Sequence, residues 1–349
     1  MKHGFKNSIS DNSLFIYKSA SDIVILHLYV DDILITSSSS SLLKSIIKSL
    51  MSEFSMRDLG IVNFFLGIFV SPCNGGYFLN QSKYIHDLLE GASLLSSKPV
   101  NTPLSPKSLL AYDASPPFSD PSLYRSLVGG LQYLTFTRPD ITYVVSQVAQ
   151  FMHSPFDIHF TAVKRILRYL RDSINYELLI PGNSIGSLTC YTDADWAGCP
   201  TTCKSTSAYC IFLGNNLISW TSKKQNVVSP SSVEAEYCTV AHATAEISWL
   251  LPFLSDLHIQ PSSPSTIYCD NVNSIYLAHN FFHHARIKHI EIDIHFVREK
   301  VASGVLQFLY VPSTDQLTDL LTKSLPYPRF SFLRDKLGIC QDPTSLDGE

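Results

Sequence analysis

Tyr191-Thr192-Asp193-Ala194-Asp195-Trp196-Ala197-Gly198 sets an acidic residue at the centre of a strand-like run. Three later segments each add a carboxylate. They are Ser232-Val233-Glu234-Ala235-Glu236-Tyr237, Ile267-Tyr268-Cys269-Asp270-Asn271 and Gln316-Leu317-Thr318-Asp319-Leu320. The order along the chain is strand acid, helix acid, strand-end acid, helix acid. That order suits a two-metal phosphodiester hydrolase, in which two Mg²⁺ ions about 4 Å apart clamp the attacking water and the leaving oxygen. Mg²⁺ takes oxygen ligands, usually a few carboxylates together with substrate phosphate.

The elements around these acids read as three strands (188–196, 207–213 and 217–221), a helix opened by the serines at 229–232, a strand at 267–269 and a fifth at 306–310. Two glutamates compete on the helix. Glu236 shares a stripe with Val233, Val240, Ala243, Ile247 and Leu250, which is the face that packs on a sheet, whereas Glu234 shares a weaker one with Cys238, Ala241 and Ala245. The stripe favours Glu236. Asp193 and Asp195 fall on one face of their strand by alternation, with Asp195 nearer the solvated end. Asp270 ends a strand and precedes a helical stretch, so it is placed either at the active edge or as an N-cap. Ser313 and Gln316 have the spacing of a capping box, with Asp319 in the first turns that follow and Asp315 in the cap.

Upstream, Leu14-Phe15-Ile16-Tyr17 and the run 23–29 read as strands, and Ile33-Leu34-Ile35-Thr36 as another. Between them, Tyr29-Val30-Asp31-Asp32 puts two carboxylates at a hairpin tip. Apolar spacing predicts an amphipathic helix over 42–54 packed on that sheet. A hairpin follows, with Gly75-Gly76 at its turn, and then a helix over 81–95. Ala114-Ser115-Pro116-Pro117 begins a proline-rich joint. Helical stretches follow, interrupted at Arg138-Pro139-Asp140 and at His153-Ser154-Pro155. The helix over 161–171 is the most basic. Lys164, Arg168 and Arg171 share a face with Arg165 beside them, either as a solvated surface or as a track for phosphates.

The chain has 349 residues, 45% apolar and 16% charged, which is the composition of a globular protein with room for two or three domains. Its net charge of −4 means that a polyanion would have to be met by local basic patches or by metal ions. The eight cysteines include no CxxC pair, so free thiols in a reducing compartment are expected rather than a zinc site. The N-terminal residues lack the apolar core of a signal peptide, and the run 23–36 is interrupted by His27, Asp31 and Asp32. A soluble, intracellular protein with no membrane partner is expected.

The four acidic segments, in this order, resemble the ribonuclease H domain of a copia-type LTR retrotransposon Pol polyprotein. Tyr29-Val30-Asp31-Asp32 resembles the reverse-transcriptase palm motif of the same family, and the likeness runs from about Gly4 to Pro326. The resemblance implies an α/β (α+β) fold. A partial reverse-transcriptase palm and the start of a thumb (1–105) would lead through a helical thumb or connection region (106–185). A ribonuclease H-like mixed five-stranded sheet flanked by helices (186–325) and a C-terminal tail (326–349) would follow. It implies that Asp193, Glu236, Asp270 and Asp319 are catalytic and hold two Mg²⁺ ions, and that Asp31 and Asp32 are metal-binding. A primer-grip hairpin near 64–79 is implied too.

The third palm aspartate of the family would come from an upstream strand. No segment before Asp31 offers it, so no polymerase activity is expected of this chain alone. Many ribonucleases H carry a histidine in the loop before the last acidic helix; Val311-Pro312-Ser313-Thr314 has none. The histidine-rich stretch with His283, His284, Lys288, His289 and His295 is typical of copia-type sequences, and Lys288 and His289 are candidate nucleic-acid contacts. The expected activity is Mg²⁺-dependent hydrolysis of RNA in RNA–DNA hybrids, with a template-primer duplex as a further partner. The alternative is a non-catalytic nucleic-acid-binding remnant of a decayed element.

Overall fold

The computed structural model describes residues 4–105, 110, 115–182, 186–279 and 290–341. The chain divides into two compact units, Met1–Val70 with Ala245–Gln260, and Ser71–Thr244 with Pro261–Glu349.

In the first unit, strands β1 (Lys6–Asn7), β2 (Leu14–Lys18), β3 (Ile23–Tyr29) and β4 (Asp32–Ser37) form an antiparallel sheet in that order. Leu14, Ile16, Val24 and Leu26 alternate into its buried side, as period-two patterning requires. Tyr29 pairs with Asp32, which leaves Val30 and Asp31 as a two-residue tip. Val30 sits at φ 52°, a left-handed conformation that strains a β-branched residue. Helix α1 (Ser40–Glu53) is capped by the Ser39 hydroxyl, which accepts the Leu42 N–H at 3.4 Å. None of its residues is fully buried, so the expected packing of its apolar side is only partial. The apolar run at 64–73 is two strands and not one. Leu66 (φ 48°) and Gly67 (φ 75°) make a left-handed two-residue turn between β5 (Phe64–Phe65) and β6 (Ile68–Cys73). Asp256, from the 245–260 segment, accepts the Ser8 hydroxyl at 2.6 Å and the N–H groups of Ile9 and Ser10.

The second unit begins in β6 and turns at Asn74-Gly75 into β7 (Gly76–Asn80), one residue earlier than the glycine pair suggests. Gly76 lies inside the strand because a side chain there would strike the Ile180 carbonyl. Helices α2 (Ser82–Gly91), α3 (Pro121–Leu134), α4 (Thr142–Ala149) and α5 (Asp157–Asp172) follow. Helix α3 starts where Asp120 caps and Pro121 takes the first position. Strand β8 (Tyr176–Pro181) pairs with β7, an element that the helical reading of 106–185 missed.

The next strands are β9 (Leu188–Asp195), β10 (Thr206–Leu213) and β11 (Asn216–Lys224), an antiparallel meander. Helix α6 (Ser232–Asp256), β12 (Ser265–Cys269), α7 (Val272–His279), α8 (Glu291–Ala302), β13 (Leu306–Tyr310) and α9 (Asp319–Thr322) follow, with α8 a second helix where the sequence pattern gave one between the last two strands. The sheet order is β11-β10-β9-β12-β13, with β12 parallel to both neighbours. Residues 327–341, read from sequence only as a tail, form α10 (Tyr327–Lys336) and β14 (Ile339–Gln341), which pairs with β8. Phe330, Leu333, Leu337 and Ile339 are buried, and that burial holds the segment in place.

The mixed sheet has a layer on each face. The Ser207 and Ala194 side meets α6, where the Thr239 hydroxyl donates to Ser207 at 2.7 Å. On the Ala208 and Cys210 side, one core joins the sheet to α3, α4, α5 and α9. That core does not stop at residue 185; Trp220 donates its indole N–H to the Thr135 carbonyl at 3.1 Å. At its base lies Arg138, 1% exposed, paired with Asp140 at 2.8 Å. Sequence reading took this three-residue stretch only as a break. Burial opposes the Asp140 charge, but Arg138 and the Tyr169 hydroxyl hold its carboxyl below the usual range.

Removing one partner of a buried pair strands the other charge. Asp140→Ala should lose about 3–5 kcal/mol in urea unfolding, and replacing both residues by apolar ones should recover much of it.

Candidate active site

The parallel pairing of β9 with β12 sets Thr192 beside Cys269. The residue that follows each is an acid, Asp193 within β9 and Asp270 just past the end of β12, and the two carboxylates are close enough for their charges to interact. Asp193, 2% exposed, is on the face of β9 that meets α9. There the Thr322 hydroxyl donates to its Oδ2, and Lys323 Nζ lies 3.2 Å from the same oxygen.

Glu236 arrives from the opposite layer, in the second turn of α6. The Ser231 hydroxyl accepts the Glu234 N–H at 3.3 Å and donates to the Glu234 carboxylate at 3.1 Å. The two competing glutamates are thereby separated, with Glu234 at the cap and Glu236 directed to the strand ends. The backbone N–H of Ala194 reaches the Glu236 carboxylate, while its Oε2 is buried with no hydrogen-bond partner among the described residues.

Asp270 does not cap α7. Asn271 takes that role, its Oδ1 accepting the N–H groups of Asn273 (3.1 Å) and Ser274 (3.2 Å). Asp270 instead accepts the Ser313 hydroxyl at 3.0 Å. Ligand atoms of Glu236, Cys269 and Asp270 lie within 4.8 Å of one another.

Asp319 opens the short helix α9 and pairs with Lys323 (2.8 Å) and Arg329 (3.3 Å). The expected capping box at Ser313 and Gln316 does not form. Residues Ser313–Asp315 make a 3₁₀ turn, and the fully buried Gln316 amide donates to the Thr192 carbonyl at 2.9 Å. A strand-end carbonyl needs that donor more than an exposed turn needs a cap.

Burial, with Asp319 and Asp270 adding to it, raises the Asp193 carboxyl above its ordinary range, although Lys323 and Thr322 work the other way. Burial, then the negative charges of Asp193 and Asp270, raise Glu236 well above it. Burial also raises Asp195, which is half-buried rather than solvated, because Gly198 has no side chain to displace its carboxylate. The buried Cys269 thiol is pushed upward too, and a hard cation prefers the carboxylate oxygens beside it to a sulfur. What remains is a set of carboxylate oxygens, one of them orphaned, and that donor set fits a hard divalent cation.

A family model described as reverse transcriptase (RNA-dependent DNA polymerase) matches residues 1–106. The retrovirus-related Pol polyprotein from transposon RE1 of Arabidopsis thaliana is 44% identical over 98% of this chain and 23% of its own length. A transposon Ty5-1 protein of Saccharomyces cerevisiae is 32% identical over 70% of this chain and 81% of its own. The chain belongs to the Pol polyprotein family of copia-type retrotransposons. It spans about a quarter of the length of the RE1 polyprotein. Among solved structures it is similar to LC11-RNase H1 isolated from compost, at 15% identity and a TM-score of 0.31, over 39% of this chain and 93% of that one.

In this member of the family, the other candidate residues have surroundings of their own. Asp31 and Asp32 are exposed at the β3–β4 tip, and among the described residues neither joins a group of three possible metal ligands. On α5, Arg165 donates to Thr102 at 2.9 Å and Arg168 to the Lys98 carbonyl at 2.6 Å, so both tie down the 98–102 segment. Lys164 lies over the Phe160 ring, and Arg171 is half-exposed. Lys288 and His289 lie outside the described residues. No described helix is long and apolar enough to cross a membrane.

Sequence reading missed Lys323, Thr322 and Arg329 and gave Ser313 to a cap, whereas all four side chains hold the acids in place. Only Lys323 carried a local signal, its four-residue spacing from Asp319.

The raised carboxyl of Glu236 keeps a proton in the folded state at pH values where the unfolded chain has released it. The metal-free protein therefore loses stability as pH rises from the ordinary carboxylate range through the raised one. Glu236→Gln removes that loss. In a chelator, thermal melts should show this variant more stable than the parent, with the gap widening as pH rises above the ordinary carboxylate range.

Proposed function

We propose that residues 186–325 hydrolyse the RNA strand of RNA–DNA hybrids, using magnesium held by Asp193, Glu236, Asp270 and Asp319. The observation that carries this reading is the convergence of acids from β9, α6, β12 and α9 at one end of the mixed sheet. Divalent cations there would neutralise charge developing on the phosphoryl oxygens. The protein's part is to fix the oxygens before substrate arrives. Thr322 and Lys323 hold Asp193, Ser313 holds Asp270, and Arg329 holds Asp319. Burial of Asp193 and Glu236 keeps water away from the cluster and strengthens its field. The 2′-hydroxyls of the RNA strand are the groups that separate it from DNA.

Binding of the hybrid falls to local positive charge, since the chain is net negative. Lys164 and Arg171 are the α5 residues we assign to phosphates, with Arg165 and Arg168 kept for the fold. The Asp31–Asp32 tip has no third carboxylate partner among the described residues, and the cleavage proposed here does not involve it.

Purified protein with Mg²⁺ should cleave a labelled RNA–DNA hybrid in its RNA strand. Asp270→Asn should lower that rate about a hundredfold or more while leaving the fold intact by circular dichroism. Hybrid binding without cleavage by the folded parent would overturn the nuclease and favour a non-catalytic binding protein.

A further inference from the structure

The side chain that stands between the acids belongs to none of the four carboxylate segments as ligands. Lys323 Nζ is 2.8 Å from Asp319 Oδ1 and 3.2 Å from Asp193 Oδ2. It thus bridges two of the oxygens that the proposed function gives to magnesium. The second of these, Asp193 Oδ2, also accepts the Thr322 hydroxyl.

We propose that Lys323 is the resident counter-cation of the carboxylate cluster, and that a divalent ion must displace its ammonium group in order to bind. This rests on the reading of the four acids as metal ligands.

Three features support exchange rather than coexistence. Like charges sharing one oxygen repel strongly in a half-dry site. The Lys323 side chain is 41% exposed on a flexible stem, so it can leave. Arg329, the other cation at Asp319, cannot leave as readily, because its guanidinium also donates to the carbonyls of Ser313, Thr314 and Gln316. The backbone of Lys323 is held apart from this motion: its N–H donates to the Asp319 carbonyl at 3.0 Å as α9 ends. The helix end therefore stays in place while the ammonium moves. In the metal-free state Lys323 limits repulsion among the acids, and in the loaded state its departure sets a cost on metal affinity.

The test is titration calorimetry of Mg²⁺ alone into the full chain at about pH 8, for the parent, Lys323→Met and Lys323→Arg. Lys323→Met should bind Mg²⁺ roughly tenfold more tightly or better, since the competing charge is gone. The same variant should melt at a lower temperature in chelator, and Mg²⁺ should close that gap. Lys323→Arg, which keeps the charge, should stay near the parent. A second measurement needs no variant: acetylation of Lys323 in the parent, followed by mass spectrometry, should speed up when Mg²⁺ is added. Unchanged or weaker Mg²⁺ binding by Lys323→Met, or no change in labelling, would overturn the proposal. If Mg²⁺ binds and supports hybrid cleavage in that case, the nuclease reading stands without it. A parent that neither binds Mg²⁺ nor cleaves the hybrid would sink both.

Discussion

The parallel register between β9 and β12 is the constraint on which the site depends. Pairing Thr192 with Cys269 puts the next residues, Asp193 and Asp270, close enough for their charges to interact. A one-residue slip would turn every side chain of a strand to the other face. Asp193 would then leave α9, and Ala208 would lose its place opposite it. The register is held by the apolar partners below the acids, with Leu188, Cys190, Ile267 and Cys269 all buried. The apolar part of the sheet thus fixes the position of the polar part.

Gathering carboxylates in a dry place is unfavourable, and the structure around them is arranged to offset it. Cations come from α9 and α10, hydroxyls from Thr322 and Ser313, and an amide from Gln316. Even so, Glu236 keeps an orphaned oxygen and a raised carboxyl. Perturbed carboxyls of this kind cluster at functional positions. The short helix α9 concentrates most of the compensation. Asp319, Thr322 and Lys323 all reach the cluster from one turn, and α10 secures that turn through Arg329 and the buried Phe330.

Much of this was legible in the chain. Alternating apolar residues announced β9 and β10, serines marked the start of α6, and the stripe through Glu236 separated it from Glu234. Where the reading went astray, a local rule met a tertiary demand. Ser313 and Gln316 have capping-box spacing, yet Gln316 serves the Thr192 carbonyl and Ser313 serves Asp270. The glycine pair at 75–76 marks a turn, yet Gly76 belongs to the strand because Ile180 approaches it. Strands β8 and β14 pair across more than a hundred residues of sequence, and such pairing leaves no short-range pattern to find.

The sequence by itself determined the family, the run of strands and helices that carries the four acids, and where those acids lie along the chain. Those are properties of residue type and spacing, and local periodicity and motif order carry them. Only the tertiary structure decided how the acids are balanced. It made Asn271 rather than Asp270 the cap of α7, bonded Arg165 to Thr102 and Arg168 to the Lys98 carbonyl, and set Lys323 between Asp193 and Asp319. Charge compensation acts through space over a few ångströms, and the partners of Asp193 lie more than a hundred residues away in the chain.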